Sequence, residues 1–223
     1  LTTSIPVWRN ARADIGTWVH GRTASDFIGH IVEPSIRALD LRIEELGRRQ
    51  EGAWAFEQAD LEDLRGETLR GFALALQSFW ERQLRTYLAG CASEFGGATD
   101  KEVEKANWAD LQRLFLDLRG LALTRFSPFP LLDLLQQVGN VCRHGEGPAA
   151  TRLRDRHPEL WPDPYRRQAG DIVVDPRLLT RFAGAIAAFW TETEDIYVNS
   201  LRSKHPSTER RLREAETRWG GRG

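Results

Sequence analysis

Apolar residues recur along this chain at the period of an α-helix, in one stretch after another, and this constrains the fold more than any other feature. Ile28, Ile31, Val32, Ile36, Leu39, Ile43 and Leu46 form one such stripe, behind a cap at Ser25 and with Pro34 marking a kink or restart. Gly47 and residues 50–53 end it. Asp60 then reads as the N-cap of a long helix, with Glu62 and Asp63 in its first turn. Leu61, Leu64, Phe72, Leu76, Phe79, Trp80 and Leu84 supply the buried face as far as about Gly90, a strut of roughly 45 Å.

Local capping signals extend the pattern. Asn107 caps a helix carrying Leu111, Leu114, Phe115 and Leu118, and Ser127 with Pro128 and Pro130 opens the next, which buries Leu131, Leu134, Leu135, Val138 and Val141. Gly145 stops that helix. A short basic helix over residues 149–157 follows, ended by Pro158, and Asp175 with Pro176 starts another that buries Leu178, Leu179, Phe182, Ile186, Phe189 and Trp190. Residues 171–175 (DIVVD) are the single credible strand. The expected fold is therefore all-α: one domain, a bundle of five to six helices over residues 1–202, with at most one short β-strand or hairpin. Residues 203–223 read as a polar C-terminal tail that frays. The eight tryptophans are expected to anchor the core.

Composition narrows the setting. The 223 residues are 41% hydrophobic and 28% charged, enough to bury a core without metal or disulfide. Cys91 and Cys142 stand far apart without metal-ligand spacing, the usage of a reducing compartment. Neither a run of about 20 apolar residues nor a basic-then-apolar leader is present, so a cytoplasmic, non-membrane protein is expected. Walker, dinucleotide, nucleophile-elbow and zinc patterns are absent, and no cofactor or metal is expected. Net charge is −1 but unevenly spread. Residues 37–70 hold six Arg against nine acids, residues 143–167 six Arg against four, and residues 202–223 seven basic against three acidic. A phosphate-bearing partner prefers the later segments.

The stretch with chemical potential is Gly139-Asn140-Val141-Cys142-Arg143-His144-Gly145-Glu146-Gly147. Asn140 and His144 are four apart and share a helix face, with Arg143 beside them at the C-terminal turn. Histidine exchanges its proton near neutral pH, and arginine offers a fixed planar charge suited to phosphate. With an orienting amide these are the parts for cleaving a phosphodiester without metal, Glu146 being a further candidate for steadying His144. Read more plainly, the same residues cap the last carbonyls of their helix.

A long helix ending in bulky aromatics, followed by a helix closing with Asn140, Arg143, His144 and Gly145, resembles the HEPN superfamily of helical bundles. The resemblance implies a homodimer and a metal-independent ribonuclease of bacterial stress or antiphage defence (toxin–antitoxin systems included), acting on RNA. It assigns the polar residue to Asn140 and the catalytic histidine to His144. Gly139 stands where the family has arginine, so Arg143 would substitute from the neighbouring turn. The alternative is a non-catalytic interaction module, an antitoxin or complex subunit binding a protein partner. Arg143-His144-Gly145-Glu146 also looks like the RHG motif of histidine phosphatases, which needs a β-strand ahead of the histidine.

Overall fold

The computed structural model describes residues 4–48 and 52–220, and among these every regular element is helical. Nine α-helical segments are present: α1 (Trp18–Phe27), α2 (Glu33–Gly47), α3 (Gly52–Phe95), α4 (Asp100–Lys105), α5 (Trp108–Arg119), α6 (Phe129–His144), α7 (Pro148–Arg156), α8 (Pro176–Asn199) and α9 (Pro206–Gly220). Setting aside the six-residue α4 leaves eight, more than the five to six expected. None is long and apolar enough to cross a membrane. The described residues gather into two compact units interleaved along the chain.

One unit gathers residues 23–79 and 131–184. Pro34 does not break the chain here. Residues Ile28–Val32 widen into a π-turn in which the Glu33 N–H reaches the carbonyl of Ile28, a common way for a helix to absorb local strain. α2 then lies along the first part of α3, pinned by Arg42 to Glu57 (3.2 Å) and Arg65 to Asp40 (2.5 Å). These exposed pairs orient the two helices more than they stabilise them. Phe27 meets Phe72 and Phe79 edge-on, at 5.8 and 5.0 Å between ring centres.

Two expectations fail in this unit. Asp60 is not a cap: α3 starts at Gly52, so Asp60 lies inside a helix of 44 residues, about 65 Å long at 1.5 Å per residue. Gln50 and Glu51, read as part of the break, lie outside the described residues. Residues 171–175 are also not a strand. Ile172 and Val174 are buried and Val173 exposed, as period two demands, but Val173 N–H donating to the Leu160 carbonyl (2.8 Å) is not extended into a ladder.

The second unit gathers residues 4–22, 80–130 and 185–220. Trp80, Phe115, Phe126, Phe189 and Trp190 fill its centre, fully buried and mostly edge-to-face, with Phe189 4.8 Å from Trp80 and 5.0 Å from Trp190. Next to them is a buried ion pair. Asp14 accepts from Arg119 Nη2 (3.1 and 3.2 Å), from the Tyr87 hydroxyl (2.8 Å) and from the Ala11 N–H (2.7 Å). The Arg119 guanidinium lies 4.0 Å over the Trp8 ring and 5.4 Å from that of Phe95. Burial, then the nearby charges of Cys91 and Asp14, hold the Tyr87 phenol well above its usual range.

The expected frayed tail is a docked helix. In α9, Leu212, Ala215 and Trp219 are buried at spacings of three and four, and Trp219 meets Phe126 edge-on at 5.6 Å. Arg211 and Arg218 flank the buried carboxylate of Asp195 on α8. The Arg211 Nε lies 3.0 Å from it, without the alignment of a hydrogen bond. Burial raises the pKa of Asp195 despite these two cations. Three apolar residues in a charged run suffice for docking, although their density is too low to stand out by composition.

Removing one member of a buried ion pair leaves the other charge without compensation. Asp14→Ala should therefore cost about 3–5 kcal/mol, against about 1 kcal/mol for Tyr87→Phe, which deletes one hydrogen bond. Urea unfolding followed by circular dichroism measures both, and equal costs would refute the ion pair as the anchor.

Candidate functional site

Leu132, Leu135, Val138 and Val141 bury the inner stripe of α6, which sets where each candidate residue emerges. Gly139 is buried on the face toward α3. A Cβ built there would lie 2.8 Å from Gln77 Cγ and 3.0 Å from Gln77 Cβ, so the two helices approach too closely for any side chain. This is the physical reason that glycine, and not arginine, occupies the position.

One turn on, Arg143 shares the Gly139 face, and its Nη2 donates to the Oε1 of fully buried Gln77 at 2.6 Å. A neutral amide thus anchors this guanidinium, and no carboxylate among the described residues neutralises it. His144, the last residue of α6, is exposed and has no hydrogen-bond partner among the described residues. Asn140, on the same face, is half-buried and likewise without one. Gly145 then ends the helix at φ +69°, a left-handed conformation that glycine adopts freely, and its N–H donates to the Val141 carbonyl at 2.9 Å.

Glu146 is engaged away from His144. Its carboxylate faces Arg154 on α7, accepting from Nη1 at 3.0 Å and Nη2 at 2.8 Å, and also accepts from the Ala169 N–H. It is committed there and does not steady His144. Its pKa is lowered by the bonds from Arg154 and then from Ala169. The same Arg154 Nη1 donates to the Arg167 carbonyl, so one ion pair straps the turn after His144 to the chain between α7 and α8. Cys142 beside the motif is half-buried, and burial pushes its thiol up to about 11, which keeps it protonated and unreactive at neutral pH.

Sequence reasoning brings Asn140, Arg143 and His144 to one helix end, where the structure has them, but it misses Gln77 and Arg154. Gln77 carries a readable signal: it follows Ala73 and Leu76 and precedes Trp80 on a buried stripe, where an amide needs a partner. The pairing of Glu146 with Arg154 depends on the turn at residues 145–147 and leaves no such trace. The histidine-phosphatase reading fails because His144 ends a helix and no strand exists among the described residues.

Among the described residues no group of His, Cys, Asp and Glu is placed to hold a metal ion. The chain matches no family model, curated protein or solved structure in comparisons of all three kinds.

Because the folded-state pKa of Glu146 is depressed, its contribution to stability is present above its ordinary value near 4.5 and is lost as pH falls through the lower, folded value. Glu146→Gln should lower the melting temperature at pH 7, and its difference from wild type should shrink as pH falls below the ordinary carboxylate range. A difference that persists at the acidic end would show that the effect is not electrostatic.

Proposed function

We propose that this protein is a HEPN-like bacterial stress or antiphage defence protein that acts on RNA at the C-terminal end of α6, as a metal-independent ribonuclease. The observation that carries this reading is the charge state of the motif. Arg143 is oriented by an amide and keeps its positive charge, while the one carboxylate close in sequence, Glu146, is spent on Arg154. A phosphate approaching exposed His144 therefore meets a guanidinium that no carboxylate among the described residues pairs with.

In this mechanism Arg143 holds the scissile phosphate through the guanidinium nitrogens that Gln77 leaves free. The ribose 2′-hydroxyl attacks phosphorus as its proton passes to a base, and the 5′-oxygen leaves with a proton from an acid. His144 supplies the acid–base step, and Asn140 orients the phosphate. The proposal includes a cytoplasmic homodimer, as the resemblance implies, with the two motifs contributing to a shared site.

A second reading, a non-catalytic module that binds a protein partner, is favoured by one observation: the His144 ring has no hydrogen-bonding group among the described residues to fix its tautomer. The two separate in one assay. With EDTA present, purified protein should cut RNA, and His144→Ala should slow cleavage by about 10²–10⁴-fold while leaving the helical dichroism unchanged. Arg143→Ala should do the same. If wild type and His144→Ala are equally inert across varied RNAs, the interaction module stands instead.

A further inference from the structure

Within the unit of residues 23–79 and 131–184, a groove of about 340 Å³ is lined by the π-turn, by α2 and by the start of α8. Ile28, Val32 and Ile36, all buried, form its apolar lining together with Pro176. At 3.6 residues per turn each four-residue step drifts around a helix by about 40°, so residues 28 and 36 would diverge by about 80° on an unbroken α-helix. The π-turn at Ile28–Val32 holds more residues per turn and takes up part of that drift, which keeps the three side chains along one groove. The stripe runs roughly 12 Å along the helix axis.

The charges at the groove do not balance. Arg37 on α2 and Arg177 on α8 both line it, both are exposed, and neither side chain has an ion pair or hydrogen bond among the described residues. Arg37 is an exception in its surroundings: Arg42, Arg48, Arg65 and Arg70, on the same two helices, each pair with a carboxylate. Of the two carboxylates that line the groove, Asp40 is held by Arg65 at 2.5 Å, and Glu33 has no partner among the described residues. Thr180 is committed to its own helix, donating to the Pro176 carbonyl at 3.0 Å. Two unpaired guanidinium groups against one unpaired carboxylate leave an excess of one positive charge beside an apolar lining.

We propose that this groove binds a medium-chain fatty acid, its alkyl chain along Ile28, Val32 and Ile36 and its carboxylate against Arg37 and Arg177. The volume and the make-up of the lining, apolar with a few convergent polar groups, are those of a small-molecule site. The planar guanidinium fork matches a carboxylate, and a single negative charge balances the excess, where a phosphate dianion would exceed it. The chain is fixed by burial of methylenes, and the head group by charge. This site is independent of the RNA reading of the α6 end.

Isothermal titration calorimetry of the full-length protein with sodium decanoate tests it, and saturable binding of one molecule per chain is expected. Decanol, which has the same chain and no charge, should bind about ten-fold more weakly. Hexanoate, with four fewer methylenes to bury, should lose at least about ten-fold. Replacing Arg37 and Arg177 together with Ala should weaken decanoate by at least about ten-fold and leave decanol unchanged. Thr180→Trp, which sets a bulky ring at the groove, should abolish binding of both. These three positions are exposed, and unchanged helical dichroism shows that the variants are folded.

Heat that never saturates marks adsorption of an amphiphile to the surface and overturns the site. So does equal affinity for decanoate and decanol, unchanged decanoate affinity in the double arginine variant, or full binding by Thr180→Trp. Cleavage of RNA in EDTA is a separate readout, so either site can fail without the other.

Discussion

The approach of α6 to α3 at Gly139 and Gln77 is the contact on which the candidate site depends. With no side chain at position 139 the Gln77 side chain packs directly against the α6 backbone, in a place that excludes water. A buried amide oxygen needs a donor, and the residue one turn along α6 from Gly139 is Arg143. The same contact thus accounts for a glycine where the resembling family has arginine and for the fixed orientation of the arginine that remains. Stability and chemistry meet here at a single pair of helix faces.

Satisfaction of polar groups explains the rest of the region equally well. Glu146 lies two residues past the end of a helix, where a carboxylate has little to bind locally, and it finds Arg154 and the Ala169 N–H across a turn. That choice removes its charge from the neighbourhood of His144 and anchors a distant loop. In the other unit, Asp14 and Arg119 solve a harder problem, since both are fully buried. The carboxylate takes three kinds of donor, and the guanidinium packs against aromatic rings. Burial of Asp14 is tolerated because donors of complementary chemistry, Tyr87 and Arg119, arrive from far along the sequence.

How much of this was legible follows from the range of each interaction. Asn107 as a cap, Asp175 with Pro176 as a helix start and Gly145 as a stop were readable because each acts within four residues. Asp60 misled for the same reason: it has the right chemistry for a cap, but α3 already runs from Gly52, and a residue inside a continuous helix caps nothing. The C-terminal helix was hidden by its charge, its docking resting on Leu212, Ala215 and Trp219 alone. The helix end bearing Asn140, Arg143 and His144 was legible from spacing. What each side chain touches was not, because Gln77 lies 66 residues from Arg143.

The interleaving of the two units has a consequence for biosynthesis. Asn199 Nδ2 donates to the Ile5 carbonyl at 3.3 Å, and the Trp8 N–H donates to Ser200 Oγ at 3.2 Å, so one unit joins residues synthesised almost 200 positions apart. Residues 23–79 and 131–184 are all translated before those contacts exist. Emerging from the ribosome at about 5–20 residues per second, the early segment with Ile5, Trp8 and Ala11 therefore waits on the order of ten seconds or more for its partners. During that interval its apolar side chains are open to a holding chaperone, and the chain pays for its long-range closure with a slow, vulnerable birth.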